Sequence, residues 1–313
     1  AILELEVLGA GGVYVIEMSS YQLDLTGDPQ ANVAVLLNIT PDHLDRHGGM
    51  AGYVAAKRRI FNGLAAGGVA IAGIDDAPGV EIFANLLARR ISTIPVSVNN
   101  REAGCVFVRD GQLYNALEGA ARLITDLRPL KRLPGAHNWQ NAAAAYAAAA
   151  ALGLSNAAIV AGLGSFPGLA HRMEEVGRIG QVAFVNDSKA TNAEATAKAL
   201  ACYEGAYVIL GGVPKAGGIE SLAPLLGRIS KAYLIGEAAA AFAHTLQGAV
   251  AYRQCGDLES AVRAALQDAS RQGSEAVVLL SPACASFDQF ENFEARGDAF
   301  RNIVAQLAAE QTT

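Results

Sequence analysis

A chain of 313 residues, 52% hydrophobic and 17% charged, has the composition of a folded α/β protein with room for two cores, which excludes a disordered or collagen-like polypeptide. The formal charge of −6 offers a polyanion such as nucleic acid no general attraction, while leaving local anion sites open. Four scattered cysteines, Cys105, Cys202, Cys255 and Cys284, spell neither a metal knot nor a disulfide framework and point to a reducing cytoplasm, and no run reaches the roughly eighteen apolar residues of a membrane span.

The chain opens at Ala1 without an initiator Met, so it is expected to be a piece whose beginning lies outside the given sequence. Gly12-Val13-Tyr14-Val15-Ile16 predicts a short strand with Glu17 at its end. Such a carboxylate is either a satisfied structural acid or a metal ligand at the carboxyl edge of a parallel sheet. The next strand, 32–39, runs into Thr40-Pro41-Asp42-His43, which reads as N-cap, N1, N2 and N3 of a helix. If the two strands are neighbours, Glu17 and His43 emerge on the same edge; His43 also has a purely structural reading.

In the following helix, Met50, Tyr53, Val54, Ile60, Phe61 and Leu64 recur at spacings of three and four. Lys57 falls inside that apolar stripe, whereas Arg58 and Arg59 fall outside it. Burial would favour an uncharged, reactive amine, and snorkelling past the apolar face is the alternative.

From Gly68 to Leu133 the pattern is a strand at Val69–Ala72, a helix over Val80–Arg90, and a hairpin in which Val106–Val108 faces Leu113-Tyr114 across Asp110-Gly111. Pro134-Gly135-Ala136-His137-Asn138-Trp139-Gln140-Asn141 opens an alanine-rich helix reaching about Leu152; its Asn and His side chains can cap the helix or touch a ligand. The breakers of Gly164–Gly168 mark the expected boundary between a domain over 1–167 and another over 168–313.

Beyond it, strands near Gln181–Val185, Ala206–Leu210, Ala232–Ile235, Val250–Arg253 and Val277–Leu280 alternate with helical stretches and predict a second parallel, Rossmann-like sheet. After the first of them comes Asn186-Asp187-Ser188-Lys189-Ala190-Thr191-Asn192, a strand-to-helix turn of the kind that presents N–H groups and side chains to an anion. Capping explains its Asp, Ser and Thr. It does not explain Lys189, because a cation near a helix start opposes the helix dipole. Leu210-Gly211-Gly212-Val213-Pro214-Lys215 is a glycine turn with a second lysine, and Ser281 to Phe290 follows the last strand.

Glu17–Leu23, Asn38–Arg46, Ala55-Ala56-Lys57, His137–Asn141, His171-Arg172, Asn186–Asn192 and Ser281–Gly297 together resemble the Mur ligases of peptidoglycan synthesis, in the family's order over nearly the whole chain. The last two stretches resemble the branch that adds D-glutamate. The resemblance implies a truncated central ATPase domain, with a mostly parallel sheet plus small β elements, followed by a Rossmann-like C-terminal domain. It implies ATP-dependent joining of D-glutamate to UDP-N-acetylmuramoyl-L-alanine through an acyl phosphate, by a cytoplasmic monomer.

Carried onto this sequence, the family's roles give Glu17 to one magnesium ion and His43 and Lys57 to a second, with Lys57 carbamylated into a carboxylate-like ligand. They give Asn138, Asn141, Arg172 and Asp187 to the nucleotide. Lys189, Thr191, Lys215, Ser286, Phe287 and Phe293 would form the D-glutamate pocket, where cations and hydroxyls suit a ligand with two carboxylates.

Two departures stand out. The sequence has no Gly-Lys-Ser/Thr phosphate loop, and only sixteen residues precede Glu17, so the chain alone is expected to be inactive. Ala170 stands where related sequences often have proline. The alternative is a noncatalytic piece that binds D-glutamate or magnesium weakly. A nicotinamide-dependent oxidoreductase would need Gly-x-Gly-x-x-Gly after a strand and an acid about twenty residues on, a combination the sequence lacks.

Overall fold

The computed structural model describes residues 5–9, 11–28, 30–99, 103–215 and 217–311, and the chain divides into two compact units. One holds residues 1–126 with 140–160, the other 127–139 with 161–313, so the division differs from the single boundary expected at Gly164–Gly168. Residues 127–139 are grouped with the second unit, and the helix that starts at Ala136 belongs partly to each.

The first unit contains α1 (Ser20–Leu25), β1 (Ala31–Leu36), α2 (Leu44–His47), α3 (Met50–Arg58), β2 (Leu64–Gly73), α4 (Ala77–Ala88), β3 (Thr93–Ser97), β4 (Val106–Arg109), β5 (Gln112–Asn115) and β6 (Arg122–Asp126), together with most of α5 (Ala136–Ala151) and the first half of α6 (Asn156–Ser165). Its sheet has the order β1-β2-β3-β4-β5-β6. The first four strands are parallel and the last three form an antiparallel meander. The β4–β5 turn has Asp110 and Gly111 at φ 51° and 76°, the positive pair that a two-residue hairpin loop needs.

Three local expectations are corrected here. Gly12–Ile16 is not a strand: it joins no ladder among the described residues, and Val13, Val15 and Ile16 are exposed, so its β-forming residues have no pleated surface to pack on. Thr40–His43 does not begin a helix. His43 takes the left-handed conformation, the Asp42 carboxylate accepts the His43 N–H, and helix starts only at Leu44. The Met50–Leu64 stripe is not one helix either: α3 tightens into a 3-10 turn at Arg59–Phe61, and Leu64 already opens β2. Its apolar residues nevertheless reach a common core with Ala34, Leu36, Ala70, Ile82 and Leu86.

The second unit contains β7 (Glu174–Ile179), β8 (Val182–Asn186), α7 (Ala193–Leu200), β9 (Ala206–Gly211), β10 (Ile229–Ile235), α8 (Ala239–Leu246), β11 (Tyr252–Gly256), α9 (Leu258–Arg271), β12 (Ala276–Leu280) and α10 (Phe293–Glu310). Strand order is β11-β10-β9-β12-β8-β7. The expected all-parallel sheet carries one antiparallel edge, β7 on β8, a strand too polar (Glu174, Glu175, Arg178) to announce itself by apolar pattern.

The central strands are apolar on both faces because both are covered. Val185, Val208, Leu210, Leu234 and Leu279 pack with Leu200, Leu222, Phe242 and Leu246. Their alternates Phe184, Ile209, Tyr233, Ile235, Val278 and Leu280 pack with Leu258, Val262, Phe300 and Val304 of α9 and α10. A period of two thus splits each strand between two helical layers. Phe300 alone, fully buried, contributes about 2–3 kcal/mol by leaving water.

Candidate active site

The carboxyl ends of β8, β12 and β9 adjoin where the chain, having gone outward through β10 and β11, returns to β12; such switch points are where open α/β sheets bind ligands. The three loops that leave these ends are laced by main-chain hydrogen bonds. Asp187 N–H donates to Leu280 O at 2.8 Å, Ser281 N–H to Ile209 O at 3.3 Å, and Gly211 N–H to Pro282 O at 2.9 Å. Val213 and Ala285 exchange a further pair. Lys189, Lys215 and Ser286 therefore ride on one tied set of loops.

Within it, Lys189 is exposed and holds its ammonium 4.2 Å from the centroid of the Phe293 ring, a cation–π distance. Thr191 is half-buried, Lys215 exposed and Ser286 buried. Phe287 is 73% exposed, an aromatic ring offered to solvent beside a polar loop. Asn192 caps α7 by accepting from Ala195 N–H, so its role is structural.

Asp187 is buried, and both carboxylate oxygens are engaged: Met173 N–H donates to one at 3.2 Å and Ser281 Oγ to the other at 2.9 Å. Burial pushes its pKa up to about 7 against the pull of those donors and of the Arg172 charge. Arg172 itself is exposed and, with Arg132 and Gly168, lines a cavity of about 140 Å³. His137 nearby is held neutral to about pH 4, chiefly by burial, then by the Lys198 and Arg172 charges. Asn138 donates to Pro134 O at 2.7 Å, closing the turn that begins α5. The two guanidiniums and the neutral imidazole are chemically suited to nucleotide phosphates.

In the first unit, α1 starts with a reciprocal cap between Ser19 and Gln22. That cap fixes Tyr21, whose hydroxyl lies 3.4 Å from His43 Nδ1 and whose ring packs edge-on against both His43 and His47. His47 shares a 3.0 Å hydrogen bond with Ser20 and packs on Tyr53. One turn along α3, Lys57 is half-buried with its ammonium 5.9 Å from the Tyr53 ring centroid. His43 and Lys57 are thereby joined through Tyr21, His47 and Tyr53. Of the two readings of the stripe, a buried amine or one that snorkels, the half-buried Lys57 at the end of α3 matches the second.

Glu17 is exposed and follows no strand. Among the described residues no three His, Cys, Asp or Glu side chains gather into a group able to hold a metal. Of the donors present, the Asp42 carboxylate suits a hard cation that takes further ligands from phosphate oxygens, and the exposed His43 imidazole 3.5 Å from it is a softer nitrogen donor.

Asn141 sits beside Gln140, which is buried and tied to Asp75 (2.8 Å) and Asn38 (3.1 Å). Asp75 also accepts from Ser97 Oγ, Val98 N–H and Asn99 N–H, so Gln140, where α5 enters the first unit, is fixed to the carboxyl ends of β2 and β3. Sequence reasoning missed Tyr21, His47, Gln140 and Asp75. The Ser-x-x-Gln cap signature at Ser19–Gln22 would have placed Tyr21; the others are partners only across the fold.

Comparison with known proteins identifies the two domains. Residues 6–149 match the Mur ligase middle domain and residues 171–284 the Mur ligase, glutamate ligase domain. A UDP-N-acetylmuramoylalanine–D-glutamate ligase of Caulobacter sp. (strain K31) is 56% identical over 98% of this chain, and one of Phenylobacterium zucineum 53% identical over 99%. The chain spans 66% of the length of each. Among solved structures, MurF from Acinetobacter baumannii (TM-score 0.61, 23% identity, 93% of this chain and 62% of that one) and Mycobacterium tuberculosis folylpolyglutamate synthase complexed with ADP (TM-score 0.59, 20% identity, 88% and 64%) share the fold. With its middle and C-terminal domains both matched in order, the chain belongs to the Mur ligase family.

Proposed function

We propose that this chain carries the D-glutamate-binding half, and part of the ATPase half, of a ligase that joins D-glutamate to UDP-N-acetylmuramoyl-L-alanine at the expense of ATP. The observation that carries the reading is the lacing of three βα loops, which puts Lys189, Lys215 and Ser286 at one sheet edge. Two cations and a hydroxyl there suit a small dicarboxylate. The relatives' names supply the amino acid.

In this reading Lys189, Thr191, Lys215 and Ser286 bind and orient D-glutamate, with Phe287 and Phe293 as apolar walls. Asn138, Asn141 and Arg172 meet the nucleotide, and Asp187 shapes that site from beneath through Met173 and Ser281. Glu17, His43 and Lys57, the last carbamylated, serve magnesium, which neutralises phosphate charge when bound. The γ-phosphoryl group passes to the substrate carboxylate, leaving ADP. The D-glutamate amine then displaces phosphate and loses a proton as the amide forms. Positioning and charge neutralisation by fixed cations carry both steps.

A second reading is favoured by one specific feature: the sequence has no Gly-Lys-Ser/Thr loop. We propose that the 313 residues by themselves bind D-glutamate and ADP without turning over ATP. The four cysteines are free, as suits the reducing cytoplasm of this reading, and no described helix is long and apolar enough to cross a membrane. Isothermal titration with D-glutamate, ADP and NAD, paired with phosphate release, tests both readings. D-glutamate and ADP should bind and NAD should not, and Lys215→Ala should weaken D-glutamate but not ADP. Equal losses for both ligands would refute the pocket.

A further inference from the structure

Arg296 lies in the first turn of α10, where a cation opposes the helix dipole, and it is 1% exposed. No carboxylate forms an ion pair with it among the described residues, and the Asp288 charge acts on it only from beyond ion-pair distance. Its partners are neutral: Nε donates to Ser188 Oγ at 2.9 Å, and Nη2 donates to Ser188 O at 2.9 Å and to Cys284 O at 3.1 Å. Cys284, held as a thiol because burial pushes its pKa up to about 12, brings no countercharge. Nη1 is the one buried side-chain nitrogen or oxygen among the described residues that has no hydrogen-bond partner. A buried charge with neutral partners and an orphaned N–H is costly, and nothing in local helix chemistry asks for it.

What the guanidinium touches explains its retention. Ser188 precedes Lys189 in the loop after β8; Cys284 lies two residues before Ser286 in the loop after β12. The same helix start is bound once more to the first loop, by Ser188 Oγ donating to Phe293 O (2.8 Å), and once to the end of β8, by Asn186 Nδ2 donating to Gly297 O (3.1 Å). We propose that Arg296 is a positioning residue for the acidic amino acid: it clamps the Lys189 loop to the Ser286 loop, and the arriving dicarboxylate adds to a countercharge that the chain supplies only from the more distant Asp288. The inference rests on the proposed function for the identity of that ligand, and adds a residue that does not touch it.

The test uses the whole 313-residue chain as wild type, Arg296→Lys and Arg296→Met. Amide hydrogen exchange reads the clamp without any ligand. Protection of Lys189 and Ala190, whose N–H groups bond to His171 O and Asp187 O, should fall at least tenfold in both variants, while β9 and β10 keep theirs. Titration reads the ligand: D-glutamate affinity should fall at least tenfold in Arg296→Met and less in Arg296→Lys, which keeps the charge but cannot span both loops, with ADP affinity within twofold of wild type. Unchanged exchange in folded variants overturns the clamp whatever the ligand does. Unchanged D-glutamate affinity in Arg296→Met overturns the charge-balancing role. Loss of D-glutamate binding already in wild type overturns the proposed function and the ligand half of this inference, and the exchange result then judges the clamp alone. If Arg296→Met fails to fold, Arg296→Lys still reads the clamp by exchange and Arg296→Gln, which removes the charge but keeps a donor, reads the D-glutamate affinity in its place.

Discussion

The Lys189 ammonium stands 4.2 Å above the Phe293 ring, so an exposed lysine on one loop is steered by the first residue of a helix that begins after another. The ring restricts where the charge can go without neutralising it, leaving the full charge for an incoming anion. Phe293→Ala removes that guide. A cation–π contact at a partly exposed site is worth about 0.5–1 kcal/mol. D-glutamate should therefore bind roughly two- to fivefold more weakly in Phe293→Ala, whereas Phe293→Tyr should bind it as wild type does. Titration of the three proteins decides the matter, and an unaltered affinity in Phe293→Ala would remove the ring from the site.

Asp187 and His137 give the second unit two opposed pH dependences. Asp187 is a carboxyl whose folded pKa is raised from 3.8 to about 7, so between those values the folded state binds more proton than the unfolded chain, and stability falls as pH rises. Replacing it with Asn removes a buried charge at pH 8 and keeps an oxygen for Met173 N–H. Asp187→Asn should raise stability at pH 8 by a few kcal/mol, since each pH unit between the two values is worth ~1.4 kcal/mol, and change it little at pH 4. Thermal midpoints from pH 4 to 8 provide the check.

His137 works in the other direction. Its folded pKa is lowered from 6.5 to about 4, so within that window the unfolded chain binds more proton and stability rises with pH. In wild type the two slopes oppose each other between pH 4 and 6.5. His137→Gln should expose the falling slope of Asp187, and Asp187→Asn the rising slope of His137. Parallel profiles for the two variants would mean that one of the groups titrates as it does in water.

Much of the fold could be read from pattern, because in the second unit each central strand buries both faces and so appears as an unbroken apolar run. The lysines at the loop ends were legible for a different reason: Lys189 contradicts local helix chemistry. Arg296 makes the same contradiction but sits among Asn292, Glu294 and Asp298, where it passes for an ordinary surface charge on a helix. Only the fold shows it buried against Ser188, more than a hundred residues away in sequence. Gly12–Ile16 misled for the converse reason, since β-forming residues make a strand only where a neighbour supplies the ladder. His43 likewise read as a third helical residue, when the Asp42 carboxylate accepts the His43 N–H and His43 takes the left-handed conformation.

Gly297 gives a steric test of how α10 meets the loop after β8. A Cβ built on it would lie 2.1 Å from His171 Nδ1, closer than any real contact, and its carbonyl oxygen accepts from Asn186 Nδ2. The imidazole cannot easily yield, because Asn186 lies 3.2 Å from that same ring nitrogen and Asp298 approaches Nε2 at 3.8 Å. In an open helix Gly→Ala stabilises by about 0.5–1 kcal/mol. Gly162→Ala in α6, where nothing lies within 4 Å of the added methyl, should show that gain. Gly297→Ala should instead cost about 1–3 kcal/mol, as overpacking does, and loosen the Lys189 loop with it. Denaturant midpoints of the two variants, measured side by side, should move in opposite directions; a shift of the same sign would mean that α10 and His171 are not in the contact described.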